Sequence, residues 1–130
     1  MLEKNFIMKI VVLKFGGTSV GTIEKIKNVA KIITEYKRKK YKIIVVSSAM
    51  GGVTNDLILK SKKISPNFSE SEYDSLVSSG EQIACSLLAG RLIHKGYKSR
   101  SWSAWQIPIF TRGSHKNSRI FQINKKKIIK

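Results

Sequence analysis

The sequence has one cysteine, two prolines, two histidines and only eight acidic residues among 130. Cys85 has no second thiol to pair with, so an internal disulfide framework is excluded. His94 and His115 are too far apart to form a zinc-ligand spacing. No apolar run reaches the roughly 18 residues a membrane-spanning helix needs. The opening MLEKNFIMKIVVLKFGG mixes charge into its apolar stretch and lacks a small-residue cleavage site, so it does not read as a signal peptide. A reduced, cytoplasmic setting is the expectation. The sequon Asn67-Phe68-Ser69 then carries no meaning. With 42% apolar residues, the chain can bury a core and is expected to form one domain.

Against eight acids stand 25 Lys and Arg, a formal net charge of +17. Such a balance first suggests nucleic acid, because neutralising phosphates supplies affinity independent of sequence. The composition argues otherwise. Twenty of the cations are Lys and five are Arg, whereas bidentate phosphate and base contacts favour Arg. The lysines run together at 37–42, 60–63 and 125–127, two of these at expected helix ends, where cations oppose the helix dipole. Eighteen isoleucines accompany them, a joint Lys and Ile enrichment that matches AT-rich codon usage. A solvated basic surface is therefore the expectation, with no nucleic-acid or membrane partner.

Ile10-Val11-Val12-Leu13 and Ile43-Ile44-Val45-Val46 are short β-branched runs, the pattern of strands buried on both faces. Between them Thr22 can cap a helix with apolar positions Ile23, Ile26, Val29, Ala30 and Ile33. Further helices are expected over about 53–62 and 72–94. The second has Tyr73, Leu76, Val77, Ile83, Ala84, Leu87, Leu88 and Leu92 near one face and Gly96 just past its end. Residues 97–102 suggest a weaker strand, 105–119 read as irregular around Pro108 and Gly113, and Ile120, Ile123 and 125–129 begin a helical pattern. Strands alternating with helices imply βαβ units and a mainly parallel α/β sheet, whose ligands bind at the carboxyl ends of the strands.

Three segments carry chemistry. Lys14-Phe15-Gly16-Gly17-Thr18-Ser19 follows the first strand, where glycines let backbone N–H groups approach an anion and Lys14 adds a cation. It matches neither the Rossmann nor the P-loop pattern. Ser47-Ser48-Ala49-Met50-Gly51-Gly52-Val53-Thr54-Asn55-Asp56 repeats the arrangement after the second strand, making a joint anion site or a pair of structural turns. Ser78-Ser79-Gly80-Glu81-Gln82 places a glycine inside a helix, where it weakens the helix by about 1 kcal/mol relative to Ala; it either allows close approach of another backbone or a ligand, or is simply tolerated. Glu81 beside it could hold an ammonium group.

In content, order and separation these three segments closely resemble aspartokinases of the amino-acid kinase superfamily. Residues 102–111 with His115, Arg119 and Ile120 look like that family's next segment. The resemblance covers Met8 to about Ile120. It implies an αβα sandwich and an ATP- and Mg²⁺-dependent kinase that phosphorylates the L-aspartate side chain to 4-phospho-L-aspartate, the entry to lysine, threonine and methionine. Carried over residue by residue, Lys14, Phe15, Gly16 and Gly17 would contact the ATP phosphates, with Lys14 catalytic and Ser48 nearby. Thr54 and Glu81 would bind aspartate, Glu81 facing its α-ammonium, and no protein metal ligand is implied. A homo-oligomer is expected for full-length relatives.

Members of that family are much longer. The expectation is that residues 8–130 are the N-terminal part of a truncated kinase domain, and residues 1–7 an extension. Alternatives are another carboxylate or carbamate kinase of the superfamily, an inactive fragment, or a basic nucleic-acid-binding module. Cys85 is read as a small core residue, His94 as a partner of a helix end, and Trp102 and Trp105 as packing residues, partly exposed.

Overall fold

The computed structural model describes residues 9–129, so the expected extension over 1–7 lies outside the described residues. Two strands, β1 (Ile10–Phe15) and β2 (Lys42–Ser47), pair in parallel, with Ile10 opposite Lys42 and Phe15 opposite Ser47. Helix α1 (Ile23–Arg38) connects them. It begins as expected, with Thr22 Oγ1 accepting the Lys25 N–H at 3.2 Å. It carries Glu24 in its first turn and Lys37 and Arg38 in its last, each sign opposing the dipole there. Helices α2 (Val53–Ile64) and α3 (Glu70–His94) follow. The end of α3 is closed by Gly96 at φ +82°, with Gly96 N–H donating to Ile93 O at 2.8 Å and Tyr97 N–H to Leu92 O at 3.1 Å. This is the left-handed closure that its sequence suggests.

The core lies between the sheet and α1 with α3. Val20, Ile26, Val29, Ala30, Ile33, Leu88 and Leu92 are buried, with Leu13, Phe15, Ile43 and Val45 packed on them from the sheet. The α/β class and the parallel pairing stand as expected. Burial of the strands on both faces does not: Ile10, Val12 and Val46 are 52%, 61% and 48% exposed. Alternate side chains point to opposite faces, and among the described residues α1 and α3 cover only one of them.

Other differences have local reasons. Ile83 and Leu87 lie on the exposed side of α3, because the buried stripe runs through Gly80, Ala84, Leu88 and Leu92. Residues 97–102 form no strand; Tyr97 turns onto the core, and the Arg100 guanidinium stacks over the Trp102 ring at 4.1 Å. Trp105 is 68% exposed and does little packing. The stretch read as irregular and then helical contains an antiparallel hairpin, β3 (Ile109–Arg112) with β4 (Arg119–Ile123). Only the short helix α4 (Lys126–Ile129) follows. Cross-strand contacts override the spacing of Ile120 and Ile123: Phe110 meets Phe121, and Arg112 lies over the Phe121 ring. Gly113, at φ +120°, belongs to the turn.

Candidate functional site

Both glycine turns stand at the carboxyl ends of adjacent parallel strands, and the strand pairing carries on into them. The Ser48 N–H donates to Phe15 O at 3.0 Å, one step past the ladder. In the first turn the Gly16 carbonyl accepts from the N–H groups of Ser19 (2.9 Å) and Val20 (3.3 Å), folding residues 16–20 back before α1.

The two turns are in backbone contact. A Cβ on Gly17 would stand 3.2 Å from Ala49 O; one on Gly21 would stand 3.6 Å from the Gly51 nitrogen and, within the first turn, 3.1 Å from Gly17 O. Gly17 and Gly21 are thus explained by packing. Gly16 is not: a Cβ there would meet nothing within 4 Å, and its φ is outside the left-handed region. Lys14 has an exposed side chain at the end of β1, while Phe15 turns inward onto the core.

The second turn leads into α2. Gly52 caps that helix at φ +82° with no side-chain hydrogen bond, so the first-turn amides of α2 receive no acceptor from the capping side chain. Ser48 and Thr54 are half-buried at this turn, and Ser47 Oγ donates to Ser48 O at 3.1 Å.

Helix α3 brings the third segment to the same place. Gly80 is buried against the second turn: a Cβ there would lie 3.0 Å from Ala49 Cβ and 3.2 Å from Val53 Cγ1. Beside it, half-buried Glu81 accepts the Ala49 N–H through Oε1 at 3.3 Å. One turn farther along, burial pushes the Cys85 thiol up from its ordinary range, and the Glu81 charge adds to the effect. Cys85 is half-buried.

The structure therefore gathers Gly16, Gly17, Ser48, Thr54 and Glu81 around interlocked turns, with Lys14 at the strand end leading in. Phe15 contributes its carbonyl to the β1–β2 ladder and its ring to the core. The Ala49 amide was not anticipated from sequence, because an alanine carries no side-chain signal for a backbone donor. His115 lies elsewhere, its Nδ1 2.7 Å from Asp74 Oδ2 on α3. His94 is exposed in the last turn of α3. Among the described residues no three His, Cys, Asp or Glu side chains converge as metal ligands, and no helix is long and apolar enough to cross a membrane.

The model of the amino acid kinase family matches residues 9–130. The chain is similar to the aspartokinase of Geobacillus stearothermophilus, 46% identical over 121 residues that make up 93% of this chain and 30% of that protein. It is 44% identical to aspartokinase 2 of Bacillus subtilis over 90% of this chain and 29% of the relative. A solved aspartate kinase from Synechocystis superposes with a TM-score of 0.64 at 44% identity, over 67% of this chain and 15% of that one. The chain thus spans less than a third of the length of these relatives. From the family match over residues 9–130 and these identities it follows that the chain belongs to the amino acid kinase family.

Proposed function

We propose that this chain is the N-terminal portion of an aspartate kinase, which transfers the γ-phosphoryl group of ATP to the side-chain carboxylate of L-aspartate. The observation that carries the reading is the interlock of the two glycine turns with the Gly80–Glu81 step of α3. That interlock supports a phosphate site and a site for an ammonium group side by side.

The residues suit the chemistry. The open side of Gly16 leaves room for a phosphate against the backbone, and the first turn of α2, where the Val53 N–H already donates to Met50 O, offers its next amides and a positive dipole end to an anion. Lys14 supplies a mobile cation to the charge moving between donor and acceptor, with Gly16, Gly17 and Ser48 bordering the phosphates and Phe15 holding the strand end in place. Aspartate would be held by Thr54 and by Glu81, whose carboxylate faces the α-ammonium. The nucleophile is a carboxylate with an ordinary pKa of about 3.9, ionised at neutral pH, so no general base is required. Mg²⁺ would enter this scheme as a counter-ion carried on the nucleotide phosphates. A cytoplasmic location and a role in making lysine, threonine and methionine belong to the same proposal.

Catalysis is assigned to a protein in which the bare face of the sheet, with Ile10, Val12 and Val46, is covered. The test is an ATP and aspartate assay with hydroxylamine trapping of the acyl phosphate. It is run on the 130-residue chain alone and on the same chain joined to the remainder of the Geobacillus stearothermophilus aspartokinase. Hydroxamate formation by the joined protein only, abolished by Lys14→Ala or Glu81→Ala, is the expected result. A folded joined protein that produces none sinks the aspartate reading, and turnover by the short chain alone refutes the need for more.

A further inference from the structure

Gly80 lies in the interior of α3 in ordinary helical conformation, so no left-handed φ explains it. A glycine there weakens the helix relative to alanine. What the position does require is absence of a side chain. A Cβ would come within 3.0 Å of Ala49 Cβ, 3.2 Å of Val53 Cγ1 and 3.6 Å of Leu57 Cδ1, so a methyl group must push α3 away from the second turn by some tenths of an ångström. The same helix offers a contrast in Gly90, whose Cβ would meet nothing within 4 Å.

The residue after Gly80 makes the bond that such a displacement breaks. Ala49 is 4% exposed, so its N–H needs an acceptor inside the protein, and Glu81 Oε1 provides one at 3.3 Å. That length already stands at the long end of the N–H···O range, and a few tenths more removes the bond. We infer that Gly80 is a positioning residue for Glu81: by seating α3 directly on Ala49 and Val53 it lets the Ala49 N–H hold one carboxylate oxygen and leaves the other for a ligand's ammonium group. The ammonium half of this inference rests on the aspartate-kinase reading, and the positioning half does not.

The two halves separate in one set of NMR titrations on the ¹⁵N-labelled chain joined to the remainder of the Geobacillus stearothermophilus aspartokinase. The amide proton at position 49 is expected to shift with pH as the carboxylate of Glu81 titrates, and to lose that dependence in Glu81→Gln. Gly80→Ala is expected to lose it as well, while Gly90→Ala retains it. The double variant Ala49→Gly with Gly80→Ala removes the methyl group that the new Cβ meets at 3.0 Å and is expected to regain the dependence. Adding L-aspartate is expected to perturb resonances of residues 49, 54 and 81, with affinity about tenfold or more weaker in Gly80→Ala. A pH-dependent amide 49 that survives Gly80→Ala overturns the inference. So does a well-dispersed double variant without the dependence, which also decides the matter should Gly80→Ala alone fail to fold. If the pH series behaves as expected and aspartate perturbs nothing, positioning by Gly80 stands and the aspartate reading falls.

Discussion

Gly21 and Gly51 meet backbone to backbone: a Cβ on Gly51 would stand 3.4 Å from the Gly21 Cα, and one on Gly21 would stand 3.6 Å from the Gly51 nitrogen. The contact ties the turn after β1 to the turn after β2. Gly21 is the tighter of the two, since its Cβ would also come within 3.1 Å of the Gly17 carbonyl, a backbone atom that cannot rotate aside. Gly21→Ala is therefore expected to destabilise the fold by about 1–3 kcal/mol, the usual range for overpacking. Gly51→Ala should lose less, because 3.4 Å approaches an ordinary contact. Urea midpoints of the two variants check the order.

Gly16 and Lys14 should behave in the opposite way. Gly16 has open space where a Cβ would go, and Lys14 is exposed, so substituting either by Ala should change stability by no more than about 0.5 kcal/mol. Nucleotide binding should nonetheless fall by about tenfold or more in Lys14→Ala, with loss of a charge-assisted contact to phosphate. Titration of ATP into each variant, followed by calorimetry, separates this from a folding defect. Unchanged ATP affinity in both variants removes these residues from the phosphate site.

Cys85 reports on Glu81. Burial is the larger cause raising its thiol and the Glu81 carboxylate the smaller, so alkylation by iodoacetamide should set in at higher pH than for free cysteine. Glu81→Gln should bring the onset partway back and no further. The folded state holds this proton more tightly than the unfolded chain. Any contribution to stability is accordingly complete below the ordinary thiol value of 9.0 and is lost as pH rises through the raised one. Cys85→Ala should lack that alkaline loss in thermal melts.

The hairpin of β3 and β4 is fastened to α3 at its turn. Asp74 Oδ2 lies 2.7 Å from His115 Nδ1 and accepts the Lys116 N–H at 3.3 Å, while Lys116 Nζ lies 3.5 Å from Glu70 and over the Tyr73 ring. These groups are exposed, so Asp74→Ala should change global stability by only about 0–1 kcal/mol. Hydrogen exchange across residues 112–119 should quicken several-fold all the same, because the tie is local. Unaltered exchange there would mean the hairpin is held by other contacts.

Much of the frame was legible because its causes are local. The β-branched runs after Lys9 and Lys42, the Thr22 cap, the three- and four-residue spacing of Ile26, Val29, Ala30 and Ile33, and the left-handed end at Gly96 each act within a few residues. The hairpin was missed for the opposite reason. Phe110 and Phe121 are eleven residues apart, and their contact outweighs the helical spacing of Ile120 and Ile123. The buried stripe of α3 was misplaced in part, because Ile83 and Leu87 are as apolar as Leu88 and Leu92, and only the position of α1 and the sheet selects between them.

By itself, then, the sequence determined β1, α1, β2, α2 and α3, the two glycine turns and the Ser79-Gly80-Glu81 step, together with the chemistry those residue types can perform. Only the tertiary structure decided which glycines are there for packing and which for an open approach. Gly17 and Gly80 are pressed against atoms from distant parts of the chain, while Gly16 faces free space. The tertiary structure also supplied the Ala49 N–H as the partner of Glu81, 32 residues away. A backbone donor leaves no mark in the sequence, and its direction exists only once β2 and α3 have packed together.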